Sequence, residues 1–156
     1  MRRPERRIVD EEARALLKKQ TYGVLSVVGE DGAPYGVPLN YFYAESENAI
    51  YFHCARSGRK IDAIGSESRV SFTVVGREEI DPLRFTTRYE SVIAEGRASL
   101  VESDDEKRLR LRQLCDVLTP GAARRDEVIE AYLPRTAIVR IDIECISGKA
   151  NRGDGE

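Results

Sequence analysis

Apolar and polar residues alternate with a period of two in six stretches of the chain, and the helical period appears between them. The first helical stretch spans 10–20, where Asp10 is placed to cap a helix with Ala13, Leu16 and Leu17 inward and Glu11, Arg14 and Lys18 outward. Residues 22–28 follow as a β-branched strand, and the turn Gly29-Glu30-Asp31-Gly32 leads to a hairpin partner over 34–43. Pro38 stands in the middle of that partner; a proline gives no amide to a ladder, so the strand is predicted to be an edge, bulged or locally open.

In the strand 49–55, Ile50, Phe52 and Cys54 alternate with Tyr51, His53 and Ala55. Ser57 is then the expected cap of a helix whose first turn carries Gly58, Arg59 and Lys60, with Ile61 and Ile64 inward. Further strands are expected over 69–76, 89–101 and 136–146, with Gly96 marking a bulge or a close approach. The pattern lapses over 77–88, which reads as a loop able to fold over a site. Ser103-Asp104-Asp105-Glu106 reads as a capping box opening a helix to about 118, with Leu109, Leu111, Leu114 and Val117 apolar and Arg108, Arg110 and Arg112 on a solvated face. A shorter helix is expected over 126–133, and the tail GKANRGDGE is too polar to pack alone. Six strands with short turns and peripheral helices predict a closed or nearly closed antiparallel barrel in one domain over 1–156. No GxGxxG follows a strand, which argues against a Rossmann dinucleotide site.

Composition changes this picture little. In 156 residues, 25 basic and 27 acidic side chains leave a formal charge of -2, so no global field attracts nucleic acid or an anionic membrane, and any anion site must be local. Three scattered cysteines, Cys54, Cys115 and Cys145, suggest reduced thiols and a cytoplasmic location, and a single histidine argues against a metal site. The basic start MRRPERR leads into an acidic amphipathic segment rather than an apolar signal core, and no run is long enough to span a membrane.

The chemistry concentrates at 53–60. Free amides of a helix start, its positive dipole end, and the side chains of Arg59 and Lys60 are a combination that holds a phosphate, although a solvated basic turn has the same composition. His53 reads equally as a proton donor and as an inert structural histidine. Cys54 reads as a small buried hydrophobe, and Tyr41, Tyr43, Phe85 and Tyr89 as core or dimer contacts more than substrate platforms.

The order of these features resembles a known family. Val-Pro-Leu-Asn in the first hairpin, Tyr-Phe-His-Cys-Ala, Gly-Arg-Lys-Ile-Asp at a helix start, Val-Ser-Phe, and Tyr-Glu-Ser-Val followed by Gly-Arg-Ala are similar to the flavin-binding split-barrel proteins of the pyridoxamine 5'-phosphate oxidase-like family, in particular its nitroimidazole-resistance branch, over 10–148. The resemblance implies a six-stranded antiparallel split β-barrel and a homodimer with FMN at the subunit interface. It implies that Val37, Pro38, Leu39, Asn40 and Tyr41 lie along the flavin ring, that His53, Cys54 and Ala55 line the flavin, and that Arg59 and Lys60 hold its phosphate. Ser91 would approach from the partner subunit, and Lys149 would lie near the pocket. The implied activity is an FMN-dependent oxidoreductase passing electrons from a reduced nicotinamide or other donor to a small acceptor, a nitroaromatic being one candidate, with His53 as proton donor. The alternative is a split barrel that holds FMN or haem without turnover, His53 then being a candidate iron ligand. The chain lacks tryptophan and the basic C-terminal segment of the oxidase branch, which argues against pyridoxamine phosphate as substrate.

Overall fold

The computed structural model describes residues 3–153. Eight strands form one antiparallel sheet: β1 (Arg7–Ile8), β2 (Tyr22–Val28), β3 (Pro34–Asn40), β4 (Phe42–Ala44), β5 (Ala49–Ala55), β6 (Arg69–Asp81), β7 (Thr86–Leu100) and β8 (Thr136–Asn151). Their order is β3-β2-β6-β7-β8-β5-β4, with β1 added to the end of β8. The helices are α1 (Asp10–Lys19), α2 (Arg59–Ser66), α3 (Asp104–Leu118) and α4 (Arg125–Tyr132). The sheet curls around a core containing Leu25, Phe52, Phe72, Val74, Val92, Val139 and Ile141, against which α1 sets Ala13, Leu16 and Leu17. A second apolar cluster lies on the far side of β4, β5 and β8. There Ala49, Tyr51 and Ile138 meet Leu111 and Leu114 of α3 and Ile129 of α4.

The eight strands include the six expected regions, and the difference has two sources. The expected strand 34–43 is two strands, because the chain changes partner at Tyr41: β3 pairs with β2 up to Asn40, the Tyr41 amide still donates to the Thr21 carbonyl (3.1 Å), and from Phe42 onward β4 pairs with β5. Tyr41 is thereby turned fully inward, its ring edge-on to Phe72 and its hydroxyl donating to the Leu17 carbonyl (2.8 Å). The other addition is the two-residue β1. Residues 77–88 are not a loop over a site: β6 runs on to Asp81 and β7 starts at Thr86, with a register shift between Val75 and Glu78. Alternation fails there because no face of this hairpin arm is packed on the core, leaving Ile80, Leu83 and Phe85 in solvent. The tail also packs further than its composition suggests. Gly148, Lys149, Ala150 and Asn151 continue β8, with β7 as their partner and β1 alongside, while residues 154–156 lie outside the described residues.

Gly96 does mark a bulge, between Glu95 and Gly96, and a side chain there would run into the backbone of Asp142 and Ile143. Three helix expectations are corrected. Val9, not Asp10, is the N-cap of α1; Asp10, Glu11 and Glu12 fill its first turn, where negative charge suits the helix dipole. Gly58, not Ser57, is the N-cap of α2, with φ 123°, a value glycine adopts without a steric penalty. Ser103 caps α3 through the Glu106 amide (3.4 Å), but the Glu106 carboxylate turns to Arg110 instead of closing the box.

On α3, Leu109 and Val117 are exposed and Arg110 is buried. Its guanidinium lies 4.2 Å from the Tyr51 ring centroid and pairs with Glu47 (2.6 Å) and Glu106 (3.2 Å). Tyr51 donates its hydroxyl to Glu47 (2.6 Å), and Arg140 reaches both Tyr51 (2.7 Å) and Glu47 (3.0 Å). Burial and the hydrogen bond to Glu47 push the Tyr51 phenol up to about 12. This network fastens α3 to the rear of β5 and so fixes the strand that leads into α2.

Candidate functional site

The ends of the sheet path do not join. β3 pairs only with β2, so its second edge is bare; β4 pairs with β5 only as far as Tyr51, so Phe52 to Ala55 have one bare edge as well. The two strands nevertheless approach within 8 Å between Cα atoms. An antiparallel barrel left open between two such edges is a split barrel, and Pro38 on β3 fits an edge that makes no further ladder.

α2 starts beside this split. The Ile61 and Asp62 amides donate to the Gly58 carbonyl (2.8 and 3.2 Å), which leaves the Arg59 and Lys60 amides as the free donors of the first turn, and the helix dipole directs positive potential there. Its two cations diverge across the opening. The Arg59 guanidinium sits 4.3 Å from the ring centroid of Tyr35 on β3, whereas Lys60 is close enough to Cys54 on β5 to act on its thiol. A cleft of about 540 Å³ adjoins Arg59 and is lined also by Gly29, Glu30, Asp31 and Asp62. Those carboxylates lie in the field of Arg59 and offset part of its charge. Tyr35 was not singled out in the sequence. Its alternation with Val37 and Leu39 was the available signal, but nothing local reveals that a helix after β5 returns to it.

The sequence-derived candidates fall into three groups. Val37 and Leu39 are half-buried and packed on the core, while Pro38 and Asn40 are exposed; Tyr41 belongs to the core, its amide turned to Thr21. On β5, Cys54 is half-buried on the core face, and burial raises its thiol pKa while Lys60 pulls it the other way. A thiol held up in this manner stays protonated at neutral pH, in keeping with a small apolar residue. His53 and Ala55 are exposed on the opposite face, the one α3 and α4 partly cover. Arg59 and Lys60 complete the second group.

Ser91 and Lys149 form the third group and are cross-strand partners on β7 and β8. On one side β2 and β6 stand between β7 and β3; on the other β8 is next to β5, but their pairing ends at Asp142, seven residues before Lys149, so this pair lies away from the split within one subunit.

Packing around the His53 ring lowers its pKa below the ordinary 6.5. The folded state then favours the neutral ring, and its stability falls as pH drops through 6.5 towards the depressed value. We expect the imidazole resonances of this only histidine to titrate below 6.5, and His53→Gln to flatten stability in that window. A midpoint above 6.5 would contradict the placement.

The chain belongs to the family described as pyridoxamine 5'-phosphate oxidase, which matches residues 9–150. Solved structures with the same fold include a Bacteroides thetaiotaomicron protein assigned provisionally to 5-nitroimidazole antibiotic resistance, at 19% identity and TM-score 0.77, covering 92% of this chain and 85% of that one. A FAD-binding protein from Mesorhizobium loti is 25% identical, with TM-score 0.67 and coverage of 92% and 93%. A FAD- and haem-binding protein from Mycobacterium smegmatis is 20% identical, with TM-score 0.78 and coverage of 95% and 74%. No curated protein matches the sequence. Among the described residues, no helix is long and apolar enough to cross a membrane.

Proposed function

We propose that the protein is an FMN-dependent oxidoreductase acting as a homodimer, which passes electrons from a reduced donor, such as a nicotinamide, to a small acceptor, a nitroaromatic being the candidate. The observation that carries this reading is the split itself: two bare strand edges at the start of α2, flanked by Arg59 and Lys60. A flavin phosphate needs an anion cradle, a flat slot and backbone donors for a polar ring edge, and the residues around the split supply candidates for each. Lys60, the α2 amides and Arg59 would hold the phosphate; the backbone of 37–41 would meet the ring edge; His53, Cys54 and Ala55 would close the β5 side. The bound flavin supplies the electron transfer. The chain's own part is to bind, orient and exclude water, with the Cys54 thiol remaining protonated beside Lys60.

Ser91 and Lys149 require a second copy, and the outer face of the sheet is suited to one. Pro38, Val24, Thr73, Ile93 and Ser147 make one cross-strand row, and Val75, Ser91 and Lys149 the next. Val24, Val75 and Ile93 are each more than a third exposed there, with Tyr22 on the same strand as Val24. Burying that patch against its copy would remove apolar surface from water and bring Ser91 and Lys149 to the partner's split.

The purified protein is expected to be yellow, dimeric by sedimentation, and able to reduce a nitroaromatic at a rate above that of free FMN. Colourless protein that takes up no added flavin would overturn the flavin assignment. The second reading, a split barrel holding flavin or haem without turnover, draws on the Mycobacterium smegmatis relative and on the exposure of His53. A haem Soret band, or bound flavin without turnover, would favour it.

A further inference from the structure

We propose that the β6–β7 arm carries a phosphate site, in which Arg6, Arg84, Arg88 and Thr86 hold the phosphomonoester of a nucleotide whose base stacks on Phe85. A cleft of about 210 Å³ opens there between three segments distant in sequence: Arg6 before β1, the turn from β6 into β7, and the end of β8. Arg6, Arg84 and Arg88 all line it, and among the described residues Asp81 is the one carboxylate on its wall. Three guanidiniums against one carboxylate leave two positive charges, which match a phosphomonoester dianion better than a carboxylate.

Asp81 does not use up its neighbours. It lies 3.8 Å from Arg84 and 3.4 Å from Arg88, long for charge-assisted bonds, and its other oxygen accepts the Arg84 amide (3.2 Å). Each guanidinium has five donors, so most of those on Arg84 and Arg88 are left for a ligand, and among the described residues no carboxylate pairs with Arg6. The end of β8 fixes the wall. Asn151 donates its amide to Thr86 Oγ1 (3.3 Å) and to the Thr87 carbonyl, which leaves the Thr86 hydroxyl proton to donate to a ligand. Gly153 brings the chain against the Arg88 guanidinium with φ 88°, a conformation that glycine adopts without penalty and that a β-carbon would crowd (3.3 Å to Nε). Phe85 stands between Arg84 and Thr86 in the chain, is 96% exposed and has φ 49°, left-handed backbone that a bulky residue rarely adopts. An aromatic ring held in solvent between two phosphate donors is a platform for a nucleotide base.

The identity of the nucleotide rests on the proposed flavin at the partner's split. Arg88 and Thr86 precede Ser91 on β7 by three and five residues, about 10 and 17 Å at the rise of a strand. With Ser91 at the partner's flavin, an extended dinucleotide held by its far phosphate at the arm reaches that ring. A nicotinamide dinucleotide with a 2'-phosphate carries its monoester dianion at that end, so the donor is NADPH rather than NADH. It gives one hydride, two electrons with one proton, to the oxidised flavin and leaves as NADP⁺.

Adenosine 2'-phosphate titrated calorimetrically into the purified protein is expected to bind saturably, whereas adenosine is not. Arg84→Met and Arg6→Met, on separate segments, should each weaken that binding by about tenfold or more, the loss of one charge-assisted contact, with flavin content and circular dichroism unchanged. Phe85→Ala should weaken it about fivefold and leave competition by inorganic phosphate as it was. In the flavin-loaded protein the KM for NADPH should lie about tenfold or more below that for NADH, and Arg84→Met should remove most of the difference. No saturable binding, equal binding of adenosine, or no response to either arginine variant would overturn the site. Saturable binding of adenosine 2'-phosphate with equal KM for the two donors would overturn the donor assignment. Protein that takes up no flavin counts against the flavin reading alone, because the calorimetric result does not depend on it.

Discussion

Replacing Arg59 and Lys60 together by alanine is expected to weaken flavin binding by about a hundredfold or more. Each contact of a cation with a phosphate oxygen is worth roughly 1.5–3 kcal/mol, and every 1.4 kcal/mol is a factor of ten. Arg59 is exposed and Lys60 half-buried, so neither change opens the core and the fold should survive. Single variants divide the effect. Lys60→Ala should cost more than Arg59→Ala, because Arg59 is held over Tyr35 and shares its cleft with Glu30, Asp31 and Asp62. Quenching of flavin fluorescence on titration gives the dissociation constants, and circular dichroism checks the fold. An unchanged constant in the double variant would mean that the phosphate does not lie at the start of α2, and the redox reading would lose its support.

The second large effect is on stability. Arg110→Ala should destabilise the protein by about 3 kcal/mol, because breaking a buried ion pair strands its partner. Glu47 would keep Arg140 and Tyr51 but lose its two-pronged contact (2.6 and 2.9 Å), and the cation would leave the face of Tyr51. For a chain of this length such a loss lowers Tm by about 10 °C. Acid adds a second readout. Hydrogen bonding to Arg110, working against partial burial, holds the Glu47 carboxyl below its ordinary value. Its contribution is therefore complete above the unfolded carboxylate range and is lost as pH falls through the lower folded value. The wild-type protein should lose that increment on acidification, and the Arg110→Ala protein should have much less of it to lose. Equal Tm for the two at neutral pH would show that the network is ornamental.

Arg110 also shows where pattern reading stops. Arg108, Arg110 and Arg112 look alike in sequence, yet Arg108 pairs with Glu130 and Asp105 and Arg112 with Asp126, all on the surface, while Arg110 is covered. The difference comes from Glu47, sixty-three positions earlier, and from the ring of Tyr51. Where one face of a strand is buried and the other is not, as in β2, β7 beyond Val92 and much of β8, the period of two was legible because burial itself alternates. In the arm 77–88 both faces meet solvent, and at 148–151 the strand exists because β7 and β1 lie beside it; composition carries neither fact.

The candidate site divides in the same way. By itself, the order of residues determined a mainly antiparallel β chain, an edge strand at Pro38, a bulge at Gly96, and two cations at a helix start, since each depends on local backbone geometry or on periodic burial. Only the tertiary structure decided that β3 and β5 face each other unpaired, that Arg59 and Lys60 part to opposite sides of that opening, and that Ser91 and Lys149 are cross-strand partners beyond the end of the β5–β8 pairing. These are relations between segments far apart in sequence, set by sheet order and closure, and no local pattern encodes them.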